Sequence, residues 1–279
     1  MKGKHPKKKS DYSSDQVRAK KHLGQHFLKD NSIAEKISDS ITLNGYSKVL
    51  EIGPGTGILT RYLLAKPGIQ LMAAEIDNES VEYLILNKEK FKGLHLIQGD
   101  FLQMDWKEWG NEPLAIVGNF PYNISSQILF KAFEHRDQVP EITGMFQKEV
   151  AQRVASGPGN KDYGIISVLL QAFYNAEYLF TVDEHVFNPP PKVKSGVLRL
   201  TRNQVKQLDC DEKSFIQVVK MGFNQRRKML SNALKPLLPQ PLPQWPELSK
   251  RAEQLSVADF IELSKKIIQH SNLSKTKLS

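Results

Sequence analysis

The feature that most constrains the fold is a regular alternation of short apolar runs with longer amphipathic stretches, from Val49 to Leu200. The apolar runs have the length of strands, and the stretches between them have helical periodicity. This alternation predicts a Rossmann-like α/β domain around an open, mainly parallel seven-stranded sheet. The predicted strands span residues 49–52, 70–76, 94–98, 114–117, 142–146, 178–182 and 196–200. The predicted intervening helices span residues 58–65, 79–91, 125–133, 148–156 and 165–173.

The flanking segments have a different character and predict three parts. Residues 1–21 are rich in lysine and poor in large apolar side chains, which predicts a disordered basic tail before an α/β domain over residues 22–205. Residues 206–279 contain only helical patterns and predict a small all-α domain. Its predicted helices span residues 213–223, 227–234 and 257–269, the last opened by a capping box of Ser256 and Asp259.

Composition narrows the class of partner and the compartment. The formal net charge of +9 over 279 residues favours a polyanionic partner such as nucleic acid. The single cysteine, Cys210, cannot form an internal disulfide and offers no ligand cluster, so we expect no metal site and a reducing compartment. No apolar run reaches the roughly 18 to 20 residues that a membrane span needs. We therefore expect a cytoplasmic monomer without a membrane partner.

A glycine-rich loop follows the first predicted strand. Gly53, Gly55 and Gly57 recur at every second position and lead into a helix, an arrangement that lets a ligand approach the backbone closely. The spacing differs from the dinucleotide fingerprint, and the loop has no Walker lysine, which disfavours pyrophosphate and triphosphate ligands. A turn of purely structural purpose is the alternative for this loop in isolation.

Two acidic residues follow the next two predicted strands. Glu75 stands close to the roughly 20-residue offset at which a carboxylate accepts hydrogen bonds from ribose hydroxyls. Asp100 ends the third strand and can accept a hydrogen bond from an adenine amino group, although a turn-capping role is an equal alternative. Ligands of open α/β sheets bind at the carboxyl ends of the strands, so the loop and both acids together favour an adenosine-type ligand.

The fourth predicted strand is followed by the turn Asn119-Phe120-Pro121-Tyr122. The residues of this turn suit the methylation of an exocyclic amine on an aromatic ring. Such an amine is a poor nucleophile, because its lone pair is delocalised into the ring. Acceptors for both amine protons favour a tetrahedral nitrogen, and the Asn119 side-chain oxygen and the Phe120 carbonyl are suitable acceptors. Tyr122 can stack on the base. A simple strand-to-helix turn is the alternative.

Taken in order, these motifs and several others resemble those of the small-subunit ribosomal RNA adenine dimethyltransferases of the KsgA type. The similarity runs from about residue 20 to the last predicted helix. The further matching segments are Lys21-His-Leu-Gly-Gln-His-Phe-Leu28, Phe187-Asn-Pro-Pro-Pro-Lys-Val193 and Phe223-Asn-Gln-Arg-Arg-Lys228.

The resemblance implies a class I methyltransferase domain that uses S-adenosyl-L-methionine. It implies transfer of methyl groups to N6 of two adjacent adenosines near the 3′ end of 16S rRNA in the immature small ribosomal subunit. The residues that it implies for the cofactor are His26, Leu28, Gly53, Gly55, Glu75, Asp100 and Asn119.

For the target base, the resemblance implies Phe187 on the face opposite Tyr122, with Asn119 and Phe120 in catalytic roles. Two positions depart from the family pattern, because His26 stands where Asn is frequent and Phe120 where Leu is common.

The basic run Arg226-Arg227-Lys228 is a candidate RNA contact, because its cations can bind phosphates. A solvated basic helix face is the alternative. Two other functions stay open from the sequence: methylation of adenine in 23S rRNA or DNA, and a non-catalytic RNA-binding role in ribosome assembly.

Overall fold

In a computed structural model, which describes residues 17–276, the α/β pattern forms one seven-stranded sheet. The sheet strands are β2 (Lys48–Ile52), β3 (Gln70–Glu75), β4 (His95–Gln98), β5 (Leu114–Asn119), β6 (Glu141–Gln147), β7 (Tyr174–Val182) and β9 (Ser195–Arg202). Their order in the sheet is β4-β3-β2-β5-β6-β9-β7, and the predicted fold class is confirmed. Strands β2 to β6 pair in parallel, whereas β9 runs antiparallel to β6.

Helices connect the parallel strands, as the periodicity predicts. The middle strand β5 is buried along its apolar length because helices cover both faces of such a sheet. The connecting helices are α2 (Ile58–Leu64), α3 (Asn78–Leu86), α4 (Ser125–Glu134), α5 (Lys148–Ala155) and α6 (Ile165–Gln171).

One helix and two short strands outside the seven-stranded sheet were not predicted. Helix α1 (Asn31–Asp39) begins at Asp30, whose carboxylate accepts hydrogen bonds from the amides of Ser32 and Ile33. Strands β1 (Phe27–Leu28) and β8 (Phe187–Asn188) pair antiparallel in a separate two-stranded ribbon. Two-residue strands carry too little periodicity to be recognised in a sequence.

The chain divides into two compact units, and their bounds differ from the predicted domains. The first unit runs through Ala151 and includes Tyr178–Thr201, and the second combines Gln152–Glu177 with the chain from Arg202 onward. Residues before 202 join the second unit because α6 packs against its helices. These helices are α7 (Glu212–Asn224), α8 (Leu230–Ala233) and α9 (Val257–Thr276).

Residues 17–21, which the sequence assigned to a disordered tail over residues 1–21, are structured. The first 16 residues of that tail lie outside the described part of the chain. From there on the chain is ordered, because Val17 is buried against Tyr83 and Phe91, and the Lys20 ammonium forms an ion pair with Asp77. At the other end, the capping box of Ser256 and Asp259 is present, with both side chains hydrogen-bonded to the partner's backbone amide.

Candidate active site

The carboxyl ends of four parallel strands meet along one edge of the sheet. Gly53 follows β2, Glu75 ends β3, Asp100 follows β4 and Asn119 ends β5. All four line one cleft of about 910 Å³, including its open mouth. The strand order reverses between β2 and β5, and this switch point is where open α/β sheets bind ligands.

The glycine loop shapes the floor of this cleft. Gly53 and Gly55 have φ angles of +69° and +55°, which side chains rarely tolerate. A Cβ atom on Gly55 would also lie 2.8 Å from Cε1 of Phe27. The loop therefore requires glycine for its conformation and for its contact with the segment that precedes α1.

Glu75 is held by the backbone on both sides. Its Oε2 accepts a hydrogen bond from the Gly55 amide at 3.0 Å, and its Oε1 accepts one from the Asp77 amide at 2.9 Å. Burial raises the pKa of Glu75 because it disfavours the ionised carboxylate, and the two amides oppose that effect. Each carboxylate oxygen has a second lone pair, so Glu75 can also accept a ligand hydroxyl.

A lysine from α4 holds the loop that carries Asp100. The Lys131 ammonium donates to the carbonyls of Phe101, Leu102 and Met104 at 2.6, 3.1 and 2.8 Å. Burial of the ammonium lowers the pKa of Lys131. The Oδ1 of Asp100 accepts from the Leu102 amide at 2.9 Å, which leaves the other carboxylate oxygen available. Lys131 thus fixes one wall of the cleft.

The side-chain amide of Asn119 has a defined orientation. Its Nδ2 donates to the backbone carbonyl of His26 at 2.8 Å, so its oxygen is left to accept from a ligand. The next ring, Phe120, is only 1% exposed and packs on Phe146 at a centroid distance of 4.8 Å. Among the described residues no donor reaches the Phe120 carbonyl. The two acceptors expected from the sequence are therefore both unengaged.

A second cleft adjoins the first and contains the aromatic side chains. The His26 and Tyr122 rings lie 5.5 Å apart between centroids and line this cleft together with Gln147 and the segment 189–193. The His26 Nδ1–H donates to the Pro189 carbonyl at 2.7 Å, and the Tyr122 hydroxyl bonds to Ser195. Burial raises the pKa of Tyr122, so its hydroxyl stays neutral. The Tyr122 ring lines both clefts and offers a neutral aromatic face, whereas Lys21 and Lys192 add positive charge to the second cleft.

Comparisons with known proteins identify the family to which a chain with this site belongs. Residues 16–269 match the family described as "Ribosomal RNA adenine dimethylase". The chain is 58% identical over 254 residues to a "Ribosomal RNA small subunit methyltransferase A" of Cytophaga hutchinsonii, an alignment covering 90% of this chain and 97% of the relative. The chain belongs to the ribosomal RNA adenine dimethylase family.

Solved structures agree with membership of this family. A dimethyladenosine transferase from Plasmodium falciparum is 25% identical with a TM-score of 0.72, covering 85% of this chain and 96% of that one. The 23S rRNA methyltransferase ErmE is 24% identical with a TM-score of 0.67, covering 86% of this chain and 99% of that one. The second likeness shows the shared fold alone.

Two side chains that the family resemblance assigned to the ligands lie elsewhere. Leu28 is 4% exposed in the core cluster and does not line the main cleft, whereas its neighbour Phe27 does. Neighbouring strand residues point to opposite faces, so β1 directs Phe27 towards the glycine loop and Leu28 inward. The Leu28 side chain therefore does not reach the main cleft, and the assignment of Leu28 to the cofactor stays a prediction.

The Phe187 ring is 1% exposed and packs in the same core cluster, opposite Leu28 in the ribbon. It lines neither cleft, so in this structure its ring offers no face to a base. The stacking of Phe187 opposite Tyr122 is thus not present in this structure and stays a prediction for the protein with its RNA substrate. The ring that does lie beside Tyr122 is His26.

The predicted basic run, Arg226-Arg227-Lys228, belongs to the second unit, and its three side chains differ in their contacts and exposure. The Arg226 guanidinium bonds to Glu253 at 2.7 Å and also to the Lys161 carbonyl, so it holds a loop within that unit. Arg227 and Lys228 are exposed. Of the three cations in this run, Arg227 and Lys228 have no ion pair among the described residues, whereas Arg226 pairs with Glu253.

Several cleft residues were missed by the residue-by-residue reading. Ile76 is 46% exposed beside Glu75 and gives the cleft an apolar rim. Lys131 and Ser195 act from positions remote in sequence, and nothing in their local pattern marks them. Gly24 and Gln25 lie inside a motif that the resemblance had singled out.

No helix among the described residues has the length and hydropathy for crossing a membrane.

Proposed function

We propose that this protein transfers methyl groups from S-adenosyl-L-methionine to N6 of two adjacent adenosines near the 3′ end of 16S rRNA. Family membership and the identity with small-subunit methyltransferases support the reaction class and the substrate. The single observation that carries the chemistry is the orientation of the Asn119 amide, because its bond to His26 leaves the oxygen as an acceptor in the cleft.

The main cleft fits the cofactor chemically. Glu75 and Asp100 supply carboxylate acceptors for ribose hydroxyls and an adenine amine, and the exposed Ile76 offers an apolar surface to a purine face. The glycine loop lines the cleft without side chains at Gly53 and Gly55, which permits a ligand to approach the backbone closely. When bound, S-adenosyl-L-methionine supplies an electrophilic methyl group on a sulfonium centre.

The turn after β5 activates the target amine without a general base. The Asn119 oxygen and the Phe120 carbonyl would accept hydrogen bonds from the two amine N–H groups, which localises the lone pair on the nitrogen. As the nitrogen–methyl bond forms, the sulfur–methyl bond would break to leave a neutral thioether, and the methylated nitrogen would release one proton to water. Both acceptors are neutral and fixed before the base arrives, so they need no reorganisation during the reaction. Positioning of the reactants supplies the rest of the acceleration.

The base is held in the second cleft. Tyr122 stacks on it, and its hydroxyl is held by Ser195, which restricts rotation of the ring. His26 lies at the edge of the same space and is tied to the 189–193 segment through Pro189. Arg227 and Lys228 contact RNA phosphates, whereas Arg226 maintains the local structure of its unit.

The proposed setting is the cytoplasm, with a monomer acting on the immature small subunit. Two other functions are separable by experiment. Methylation of 23S rRNA or DNA would use the same amine chemistry on another polymer. A non-catalytic assembly factor would bind RNA without binding the cofactor, and calorimetry with S-adenosyl-L-methionine tests that possibility directly.

The decisive experiment measures labelled methyl transfer to small ribosomal subunits that lack the modification, in parallel with large subunits and duplex DNA. We expect incorporation only into the small subunit, with dimethyladenosine found by mass spectrometry of the nucleosides. Absence of transfer by a folded protein that binds the cofactor would refute the proposal. Preferential transfer to large subunits or to DNA would identify that polymer as the substrate in place of the small subunit.

The role of Asn119 is tested by Asn119→Ala. We expect kcat to fall about 10²- to 10³-fold, on the scale of a lost oxyanion-hole donor. The matched control is Asn44→Ala, an exposed asparagine of the same unit that lines neither cleft. A kcat of Asn119→Ala close to that of the control would contradict the activation of the amine by this side chain.

A further inference from the structure

A third concave surface of the catalytic unit, apart from the two clefts, is strongly basic. We call it the basic pocket and define it by Lys29, Arg61 and Lys90 with the neutral polar groups of Asn31, Thr56 and Asn188. Its empty volume is about 1110 Å³, including the open mouth. It lies on the first unit alone, so its shape depends on that unit only.

The three cations of the basic pocket have no carboxylate partner among the described residues, and no acidic residue lines the pocket. Other lysines of the same unit are paired, because Lys48 contacts Glu112 at 2.6 Å and Lys66 contacts Asp39 at 2.8 Å. Cations that share one concavity repel each other. An anion bound among them removes that repulsion, which makes the pocket a receptor for negative charge.

The remaining lining groups suit phosphate oxygens. The side chains of Asn31, Thr56 and Asn188 can donate hydrogen bonds to such oxygens. The Arg61 Nη2 donates to the Asn31 oxygen at 3.2 Å, which positions the guanidinium and directs the Asn31 amide nitrogen away from it. Tyr83 and Phe91 close the pocket from below and are 6% and 4% exposed, so they support the walls more than they offer a stacking face.

The basic pocket adjoins the candidate active site. Phe27 lines both the main cleft and the basic pocket. Asn188 lines the pocket, and the next residue, Pro189, lines the cleft proposed for the base. A polyanion whose base enters the second cleft therefore has neighbouring phosphates within reach of this surface.

We propose that the basic pocket binds phosphodiester groups of the RNA substrate that flank the methylated nucleotides. The inference rests on the proposed function, because it takes the RNA of the active site as the polyanion. It adds a second contact region to the one proposed above at Arg227 and Lys228. Its purpose is to position the strand at the cleft through charge, without reading the bases.

The test compares two triple variants that remove the same charge. The pocket variant is Lys29→Gln, Arg61→Gln and Lys90→Gln. The control variant is Lys36→Gln, Lys88→Gln and Lys92→Gln, three exposed lysines of the same unit that do not line the pocket. Binding to unmodified small subunits is measured at several salt concentrations, and cofactor binding is measured by calorimetry.

Each phosphate contact contributes roughly 0.7 to 0.9 to the slope of log K against log salt. We expect the pocket variant to lower the magnitude of that slope by about 2 to 3 and to bind more weakly at low salt. The control variant should change the slope far less, and both variants should bind the cofactor as the wild type does. Equal slopes and affinities for the two variants would overturn the proposal.

The single variant Arg61→Gln covers the case in which the triple change prevents folding. We expect this variant to lower the magnitude of the slope of log K against log salt by about 1. An unchanged slope would overturn the proposal that the basic pocket binds RNA phosphates. Failure of the pocket proposal and failure of the proposed function give different experimental results. Wild-type protein that methylates small subunits while the pocket variants bind like the control refutes the pocket alone, whereas a wild type without methyl transfer refutes the proposed function.

Discussion

Glu51 provides a quantitative test of the electrostatics beneath the glycine loop. Its carboxyl group is 2% exposed in β2 and accepts a hydrogen bond from the Thr60 hydroxyl at 2.7 Å. Burial raises the pKa of Glu51 from 4.5 to about 8, and the nearby Glu75 contributes in the same direction. The folded protein therefore retains a proton that the unfolded chain loses at much lower pH.

The sign of the pH dependence follows from proton binding. Between pH 4.5 and about 8 the folded state binds more protons at Glu51 than the unfolded state does, so stability falls as pH rises. Each pKa unit corresponds to about 1.4 kcal/mol, and the whole interval therefore corresponds to about 5 kcal/mol. The stabilisation from the retained Glu51 proton is present in full below pH 4.5, and it is lost as pH rises through the pKa that Glu51 has in the folded protein.

The perturbation is Glu51→Gln, which keeps the shape and an acceptor for Thr60 but cannot ionise. Urea unfolding at pH values from 5 to 9 should show the variant gaining about 4 to 5 kcal/mol relative to the wild type across the range. Glu82→Gln, an exposed carboxyl of the same unit, is the control and should follow the wild type. Parallel curves for the wild type and Glu51→Gln would refute the reasoning.

Three further predictions concern the walls of the clefts. Lys131→Met should raise the Kd for S-adenosyl-L-methionine about tenfold in calorimetry because three carbonyls lose their donor, with partial rescue by Lys131→Arg; an unchanged Kd would exclude this positioning role. Tyr122→Phe should lower the free energy of unfolding by about 1 kcal/mol but retain more methyl transfer than Tyr122→Ala, since the stacking ring remains. Gly144→Ala should destabilise by about 3 kcal/mol in urea, because its Cβ would lie 2.6 Å from the Phe120 ring and against backbone of β5; a loss below about 1 kcal/mol would contradict that clash.

The sheet and the main cleft could be predicted because both follow from periodicity. All seven predicted strands overlap observed ones, and parallel strands place their carboxyl ends at one edge. The positions after β2, β3, β4 and β5 therefore converge whatever the details of packing. Gly53, Glu75, Asp100 and Asn119 came together in the structure for that reason.

The direction of a side chain on a short element could not be predicted in the same way. Leu28 and Phe187 belong to motifs that the family resemblance singled out, yet both side chains pack into the core. A two-residue strand has no period from which to read a face, and only its pairing in the ribbon fixes which residue turns inward. Likewise, the ion pairing of Arg226 with Glu253 depends on residues 27 positions apart and leaves no local signal.

The departure at His26 illustrates which part of the site tolerates sequence change. Asn119 is oriented by the backbone carbonyl of residue 26, so the bond that leaves its oxygen free does not depend on the side chain at that position. The imidazole serves a different contact, since its Nδ1 holds the Pro189 carbonyl beside the cleft proposed for the base. Replacement of the more frequent Asn by His therefore alters the wall around the base and leaves the amine acceptor in place.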